Sequence, residues 1–145
     1  MSDGQQVLVL GGGLAGLSFA LALATEVPSL DITLLEAHPF RSGTPNPMDT
    51  RGSALNLHSV ELLKHWDLWS SLASHTGAIG DIHVSHRGHF GSALMTAEEL
   101  DVPALGYVVE NHELGRALLA RAEQLGVIVR APVRCVSLEA GAERP

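Results

Sequence analysis

Three glycines and one acid carry the clearest chemical meaning in this chain: Gly11, Gly13 and Gly16, spaced Gly-x-Gly-x-x-Gly, and Glu36 twenty residues past the last of them. Each meets a separate requirement of dinucleotide binding. Gly11 permits a tight turn, Gly13 lets a pyrophosphate approach the backbone with no Cβ in the way, and Gly16 allows a helix to lie close on a strand. Leu14 and Ala15 fall at the start of that helix, where backbone N–H groups and partial positive charge face a phosphate. Glu36 can accept hydrogen bonds from the two adenosine ribose hydroxyls and would repel a 2′-phosphate, which disfavours NADP at this place. The acid does not separate FAD from NAD.

These residues need elements to hold them, and the surrounding sequence supplies the pattern. Val7 to Leu10 is an uninterrupted apolar run, read as a strand covered on both faces. Leu14 to Thr25 reads as a helix with almost no polar face, closed before Pro28 and therefore expected to be sandwiched. Asp31 to Glu36 is a second strand, which completes a right-handed βαβ unit. Residues 38–47 read as a proline-rich loop, with Ser59 capping a helix through Trp66 and a short helix over Leu68 to Ala73.

From Gly80 to Val109 the character changes. Ile82 and Val84, Ala93 to Met95, and Tyr107 to Val109 are short β-like runs separated by Gly, His and Pro, which predicts an antiparallel insert. Asn111 then caps a helix to Gln124 with Leu114, Leu118, Ala122 and Leu125 on one stripe, ended by Gly126. Val127 to Val129 is a third parallel-type strand, and Val133 to Leu138 a fourth. The predicted fold class is α/β, a Rossmann-like nucleotide-binding βαβ domain with the beginning of an antiparallel sheet. Its portions are 1–79, the insert 80–109, and a return over 110–145.

Composition narrows the function. A formal charge of −7 argues against nucleic-acid binding, which depends on Lys and Arg neutralising phosphates. One cysteine excludes a disulfide framework and points to a reducing, cytoplasmic setting. Leu14 to Ala24 is about half the length of a membrane-spanning helix, and Asp3 precedes it where a signal peptide carries positive charge. A soluble protein is expected.

Beyond Glu36 the chain is similar to a known family. Val7 to Gly16 resembles the opening of flavin-dependent aromatic hydroxylases, and Asp49-Thr50-Arg51-Gly52-Ser53-Ala54-Leu55 resembles their Asp-x-Arg-x-x-Ala-Leu segment. His83 to His89 and Leu105 to Asn111 are similar to the ubiquinone-biosynthesis branch. The likeness runs over nearly the whole chain but takes in only an N-terminal portion of the family's length. The later Asp-Gly and Gly-Asp segments are missing, as is most of the substrate sheet.

The resemblance implies FAD as cofactor and NAD(P)H as electron donor. It also implies a prenylated phenol and O2 as substrates, with a peripheral inner-membrane contact or a ubiquinone-biosynthesis complex around the parent protein. Gly11, Gly13 and Gly16 would then hold the FAD pyrophosphate, Glu36 the ribose, and Arg51 the ribityl-pyrophosphate side. Asn111 falls where relatives place a polar flavin contact, and Arg116 is a lesser candidate for the same task. No catalytic side chain is assigned within these residues. The alternatives are an NAD-dependent dehydrogenase, which would not require Arg51, and a non-catalytic truncated FAD-binding fragment. The chain alone is expected to be inactive and to bind FAD weakly or not at all.

Other residues have plainer readings. Arg51 could be a surface cation, Asn111 a simple N-cap, and Arg116 a solvated helix residue. His83, His86 and His89 alternate faces on a strand and do not suggest a metal site. Cys135 reads as a small core residue, and Trp66 and Trp69 as packing under the sheet.

Overall fold

The structure, a computed structural model, describes residues 5–40, 51–88 and 90–139. Its elements in chain order are β1 (Gln6–Leu10), α1 (Leu14–Glu26), β2 (Asp31–Leu35), β3 (Gly52–Asn56), α2 (Leu57–His65) and α3 (Trp69–Leu72). A 3-10 turn over Ala73–His75 leads into β4 (Thr76–Ile79), β5 (Asp81–Ser85), β6 (Ser92–Thr96), β7 (Gly106–Glu110), α4 (Asn111–Gln124) and β8 (Ile128–Arg130). Two compact units divide the chain, one of residues 1–44 with 118–145 and one of residues 45–117.

The first unit holds the βαβ segment that the apolar runs predict. β1 lies parallel to β2 with Val7 opposite Ile32 and Leu10 opposite Leu35, and β8 joins the other edge of β2 in parallel, giving the order β1-β2-β8. Ile32 and Leu34 alternate into the core of β2 as a period of two requires. On α1 the buried residues Leu17, Ala20, Leu21 and Ala24 follow the three-and-four spacing of one helix face. Leu21 and Leu34 are fully buried, and side chains of that size each contribute roughly 1.5–3 kcal/mol to anchoring.

Two expectations for this unit fail. β1 is not covered on both faces: only Val9 is buried, while Leu8 and Leu10 are 53% and 44% exposed. The inner position among the three strands belongs to β2, and an apolar run cannot say which of two neighbouring strands takes it. α1 is not sandwiched either. Phe19 is 56% exposed on the side away from the buried stripe.

In the second unit β7 is the middle strand of an antiparallel sheet ordered β3-β7-β4, with Ala54 and Gly77 on either side of Val108. β5 and β6 form a separate hairpin in which Ile82 faces Met95 and Val84 faces Ala93. The antiparallel character predicted for Gly80–Val109 is present, but Tyr107–Val109 pairs with β3 and β4 and not with the hairpin. The sequence does not predict β3 and β4, because Gly-Ser-Ala-Leu-Asn and Thr-Gly-Ala-Ile carry few β-branched or aromatic residues. Trp69 and Tyr107 of β7 meet edge to face, with ring centroids 4.9 Å apart and planes at 71°, as expected of a residue packed on the sheet.

The helix boundaries show where side chains and backbone divide the work. α2 is capped by Asn56, whose side-chain oxygen accepts from the Ser59 N–H at 2.8 Å, so Ser59 is the capped residue and not the cap. α4 ends as predicted. Gly126 takes φ +87°, its N–H donates to Glu123 and the Val127 N–H reaches back to Ala122, the paired bonds of a Schellman turn. Beyond β8 the predicted strand Val133–Leu138 does not form, and Val136 and Leu138 are 89% and 73% exposed. Apolar alternation alone is insufficient where no neighbouring strand offers a ladder. Cys135 is exposed there, not a core residue.

Candidate nucleotide-binding site

The glycine loop is built on the carboxyl end of the parallel strands. The Gly11 N–H donates to the Leu35 carbonyl at 2.8 Å, which ties the start of the loop to the end of β2. Gly11 itself has φ +103°, a conformation in which an L side chain is strained. A Cβ on Gly16 would collide with the Gly11 carbonyl oxygen and touch Val9, so the third glycine is what lets α1 close over the loop. Gly13 stands at the other extreme: a Cβ there would meet no atom within 4 Å. That side of the loop is open.

Gly13 is also the N-cap of α1, with extended backbone and no side-chain cap bond, and the first turn contains no acid. Leu14 and Ala15 begin the helix directly behind it. Backbone N–H groups at such a terminus suit an anion, and no carboxylate of the first turn competes for them.

Glu36 follows β2 immediately and is held at every polar position. Its Oε2 accepts from the Gly12 N–H at 2.6 Å and its Oε1 from the His38 N–H at 2.8 Å. Its own N–H donates to the Arg130 carbonyl at 2.9 Å, and its carbonyl accepts from Val133 N–H at 2.7 Å. The backbone N–H of His38, followed by that of Gly12, pulls the carboxyl pKa below the ordinary glutamate range. An ionised carboxylate has about four lone-pair sites. One bond on each oxygen therefore leaves each able to accept another, the number that two vicinal hydroxyls require.

The remaining predicted site residues belong to the second unit. Arg51 precedes β3, and its carbonyl accepts from the Asn111 N–H at 2.9 Å. Asp49 and Thr50 of the same segment lie outside the described residues. Asn111 is the first residue of α4, and its side-chain oxygen accepts from Ser53 Oγ at 2.7 Å. With the oxygen so engaged, the amide NH2 is the group left to donate to a ligand. Arg116 stands apart from these two: it pairs with Glu113 one turn back and is 68% exposed. That contact holds the Glu113 carboxyl below its usual range.

Sequence reasoning missed the groups that hold the predicted residues. Gly12, at an unrestricted position of the glycine pattern, donates to Glu36; His38 closes the other oxygen; Ser53 fixes Asn111. Only Gly12 left a signal, as an extra glycine between the two that the pattern asks for. Among the described residues no group of three His, Cys, Asp or Glu is placed to hold a metal ion. Likewise, no helix there is long and apolar enough to cross a membrane.

A parallel βαβ unit with an open glycine loop and a restrained acid beyond the second strand defines a Rossmann-type nucleotide-binding protein. The chain belongs to the FAD-binding domain family, which matches residues 4–144. It is 31% identical over 138 residues to the 3-demethoxyubiquinol 3-hydroxylase of Escherichia coli strain K12, covering 92% of this chain and 34% of that protein. It is 31% identical over 131 residues to the ubiquinone hydroxylase UbiM of Neisseria meningitidis, covering 86% of this chain and 28% of that protein.

Among solved structures, it superimposes on the Diels-Alderase PyrE3 with a TM-score of 0.69 at 28% identity, over 94% of this chain and 27% of that one. A second likeness, to 2-methyl-3-hydroxypyridine-5-carboxylic acid oxygenase, has a TM-score of 0.71 at 20% identity, over 95% of this chain and 34% of that one. The chain thus spans about a third of the length of the curated relatives it matches.

Proposed function

We propose that this chain supplies the adenosine and pyrophosphate grip of an FAD-dependent aromatic hydroxylase that acts on a prenylated phenol of ubiquinone biosynthesis. The substrate type is that of 2-octaprenyl-6-methoxyphenol hydroxylase, the electron donor is NAD(P)H, and the oxygen comes from O2. Peripheral contact of the parent enzyme with the inner membrane follows from the apolar substrate. The portions 1–79 and 110–145 serve the cofactor, and 80–109 begins the substrate sheet. Supporting the reading are the family match and the two relatives whose names specify hydroxylation of ubiquinone-type rings.

The observation that carries it is the Glu36 carboxylate, fixed by two backbone N–H groups beside an open Gly13. Gly11 shapes the pyrophosphate site through its turn, its own N–H being held by Leu35, and Gly13, Leu14, Ala15 and Gly16 line it with the backbone of the helix terminus. Glu36 takes the ribose hydroxyls. Arg51 and Asn111 offer donors to the flavin side, and Arg116, already given to Glu113, has the least part. Bound FAD would accept electrons from the pyridine nucleotide and activate O2. The chain's own residues bind and orient it, and none of them is assigned a proton transfer.

The test is the flavin spectrum of the purified parent protein, wild type and Glu36→Arg. The wild type is expected to carry flavin absorbance. Glu36→Arg sets a cation against two backbone donors and loses the ribose bonds, about 1–3 kcal/mol for each polar partner left unmatched, and should retain little. Equal flavin occupancy in the two proteins overturns the role of Glu36. A colourless protein that reduces NAD favours a dehydrogenase.

A further inference from the structure

The second position of the Gly-x-Gly-x-x-Gly pattern needs no glycine, yet residue 12 is one, and it is buried. Its surroundings explain the choice. A Cβ built on Gly12 would stand 2.6 Å from Phe40 Cζ, 3.1 Å from Phe40 Cε1 and 3.0 Å from Glu36 Cβ. Separations below 3.0 Å are essentially never seen for real Cβ atoms. Gly12 is therefore threaded between the edge of an aromatic ring and the stem of the acid that its own N–H binds at 2.6 Å. Phe40 reaches this place from four residues beyond Glu36, past the turn that the His38 N–H closes on the same carboxylate.

We infer that Phe40 is a positioning residue that presses the glycine loop onto Glu36 and so sets the ribose-accepting carboxylate before a nucleotide arrives. This rests on the assignment of Glu36 to the adenosine ribose. The physical reason is entropic and dielectric together. Three successive glycines are the most flexible backbone a chain can offer, and their freedom opposes a defined anion site. A ring edge on Gly12 removes that freedom at one residue without any side chain on the loop. It also keeps water from the Gly12 N–H, so that the bond to Oε2 lies in a less polar setting and is the stronger for it. A glutamate held in this way needs no rearrangement to accept two hydroxyls, and a binding-competent state already populated is bound more tightly.

The experiment compares the flavin-free parent protein, as wild type, with its variants Phe40→Ala, Phe40→Leu, Gly12→Ala and the double variant Gly12→Ala/Phe40→Ala. Two readouts are taken: hydrogen exchange of the Gly12 amide by NMR, and affinity for ADP by chemical-shift titration. Phe40→Ala should speed Gly12 exchange and raise the ADP dissociation constant about 5- to 10-fold, as the competent loop becomes a minor state. Phe40→Leu, which keeps an apolar cover, should recover most of both.

Gly12→Ala alone should be the worst binder, and removing the Phe40 ring from it should restore affinity, a sign reversal that independent positions do not produce. The inference is overturned if Gly12 exchange is unchanged in Phe40→Ala, if exchange speeds up while ADP affinity does not move, or if Gly12→Ala is equally weak in both backgrounds. Should wild type bind no ADP at all, the ribose assignment falls. The exchange data would then still decide whether Phe40 clamps the loop.

Discussion

The two units put their candidate ligand groups together by opposite means. Around Gly11–Gly16 and Glu36 the donors are backbone N–H groups, and the one charged side chain is itself held by backbone at Gly12 and His38. Around Arg51, Asn111 and Arg116 one backbone bond joins the Asn111 N–H to the Arg51 carbonyl, while the Asn111 and Arg116 side chains are held by other side chains, Ser53 and Glu113. A site made of backbone demands conformations and close approaches that only glycine permits, so it is rigid and leaves fixed spacings. A site made of side chains depends on which strands happen to be neighbours. It tolerates exchange of residues and is weaker at each contact.

If that contrast is right, the largest effect should come from a single methyl in the first unit. Gly16→Ala places a Cβ onto the Gly11 carbonyl oxygen, backbone against backbone, with no flexible side chain to yield. Overpacking of this kind costs about 1–3 kcal/mol where the surroundings can shift and more where they cannot. The expected outcome is a clear fall in Tm together with loss of ADP binding by calorimetry. An unchanged Tm and affinity would mean that α1 does not need to lie so close to the loop.

Next in size is Glu36→Gln, which sharpens the comparison because it keeps the shape and changes only the charge and one acceptor. Glutamine can keep its oxygen on the buried Gly12 N–H, but its NH2 then faces the exposed His38 N–H, which is left to water. The cost in stability is therefore modest, and the loss falls on the charge and on one ribose acceptor. The substitution also predicts a pH signature. The Glu36 pKa is lowered by the His38 and Gly12 N–H groups. Its stabilising contribution is therefore complete above the ordinary glutamate range and is lost as the pH falls through the lowered value. Chemical denaturation across the acid range should show this slope in wild type and a shallower one in Glu36→Gln. Parallel slopes would place the carboxylate outside the network.

The same contrast explains what could be read from the sequence. The βαβ unit, the glycine loop, the acid after β2 and the end of α4 at Gly126 are all specified locally, by apolar periodicity and by residues with unusual backbone freedom. What depended on partners was not legible. β3 and β4 are strands because β7 lies between them, not because Gly-Ser-Ala-Leu-Asn or Thr-Gly-Ala-Ile prefers to be extended. Val133–Leu138 has the apolar alternation of a strand but joins no sheet. Arg51 and Asn111 drew notice through family likeness. The Ser53 hydroxyl that orients Asn111 had no signal at all, since nothing in the spacing of residues 53 and 111 brings them together until β3 pairs with β7.

Ser53→Ala tests the side-chain half of the contrast at moderate size. It removes the donor at 2.7 Å from the Asn111 oxygen, and a neutral hydrogen bond of this type contributes about 0.5–1.5 kcal/mol net. Flavin retention in the parent protein should weaken by a few-fold, with Asn111→Ala at least as severe, while ADP affinity stays as in wild type because the glycine loop is untouched. A loss of ADP affinity in Ser53→Ala would show that the two regions do not act separately.

The smallest effect should be at Arg116. Its guanidinium pairs with Glu113 in the i, i+3 arrangement and is 68% exposed, and exposed pairs of this kind contribute about 0.2–1 kcal/mol, less in salt. Arg116→Ala should therefore lower stability by a few tenths of a kcal/mol at low ionic strength and by nothing measurable at high salt. Glu113 would lose the cation that holds its pKa down and titrate nearer the ordinary range, a shift visible by carboxyl-carbon NMR. Flavin retention should change by no more than a factor of two. A tenfold loss of flavin with unchanged stability would move Arg116 from the helix surface into the cofactor's reach. It would also show that a side chain given to a neighbouring acid can be exchanged for a phosphate when one is bound.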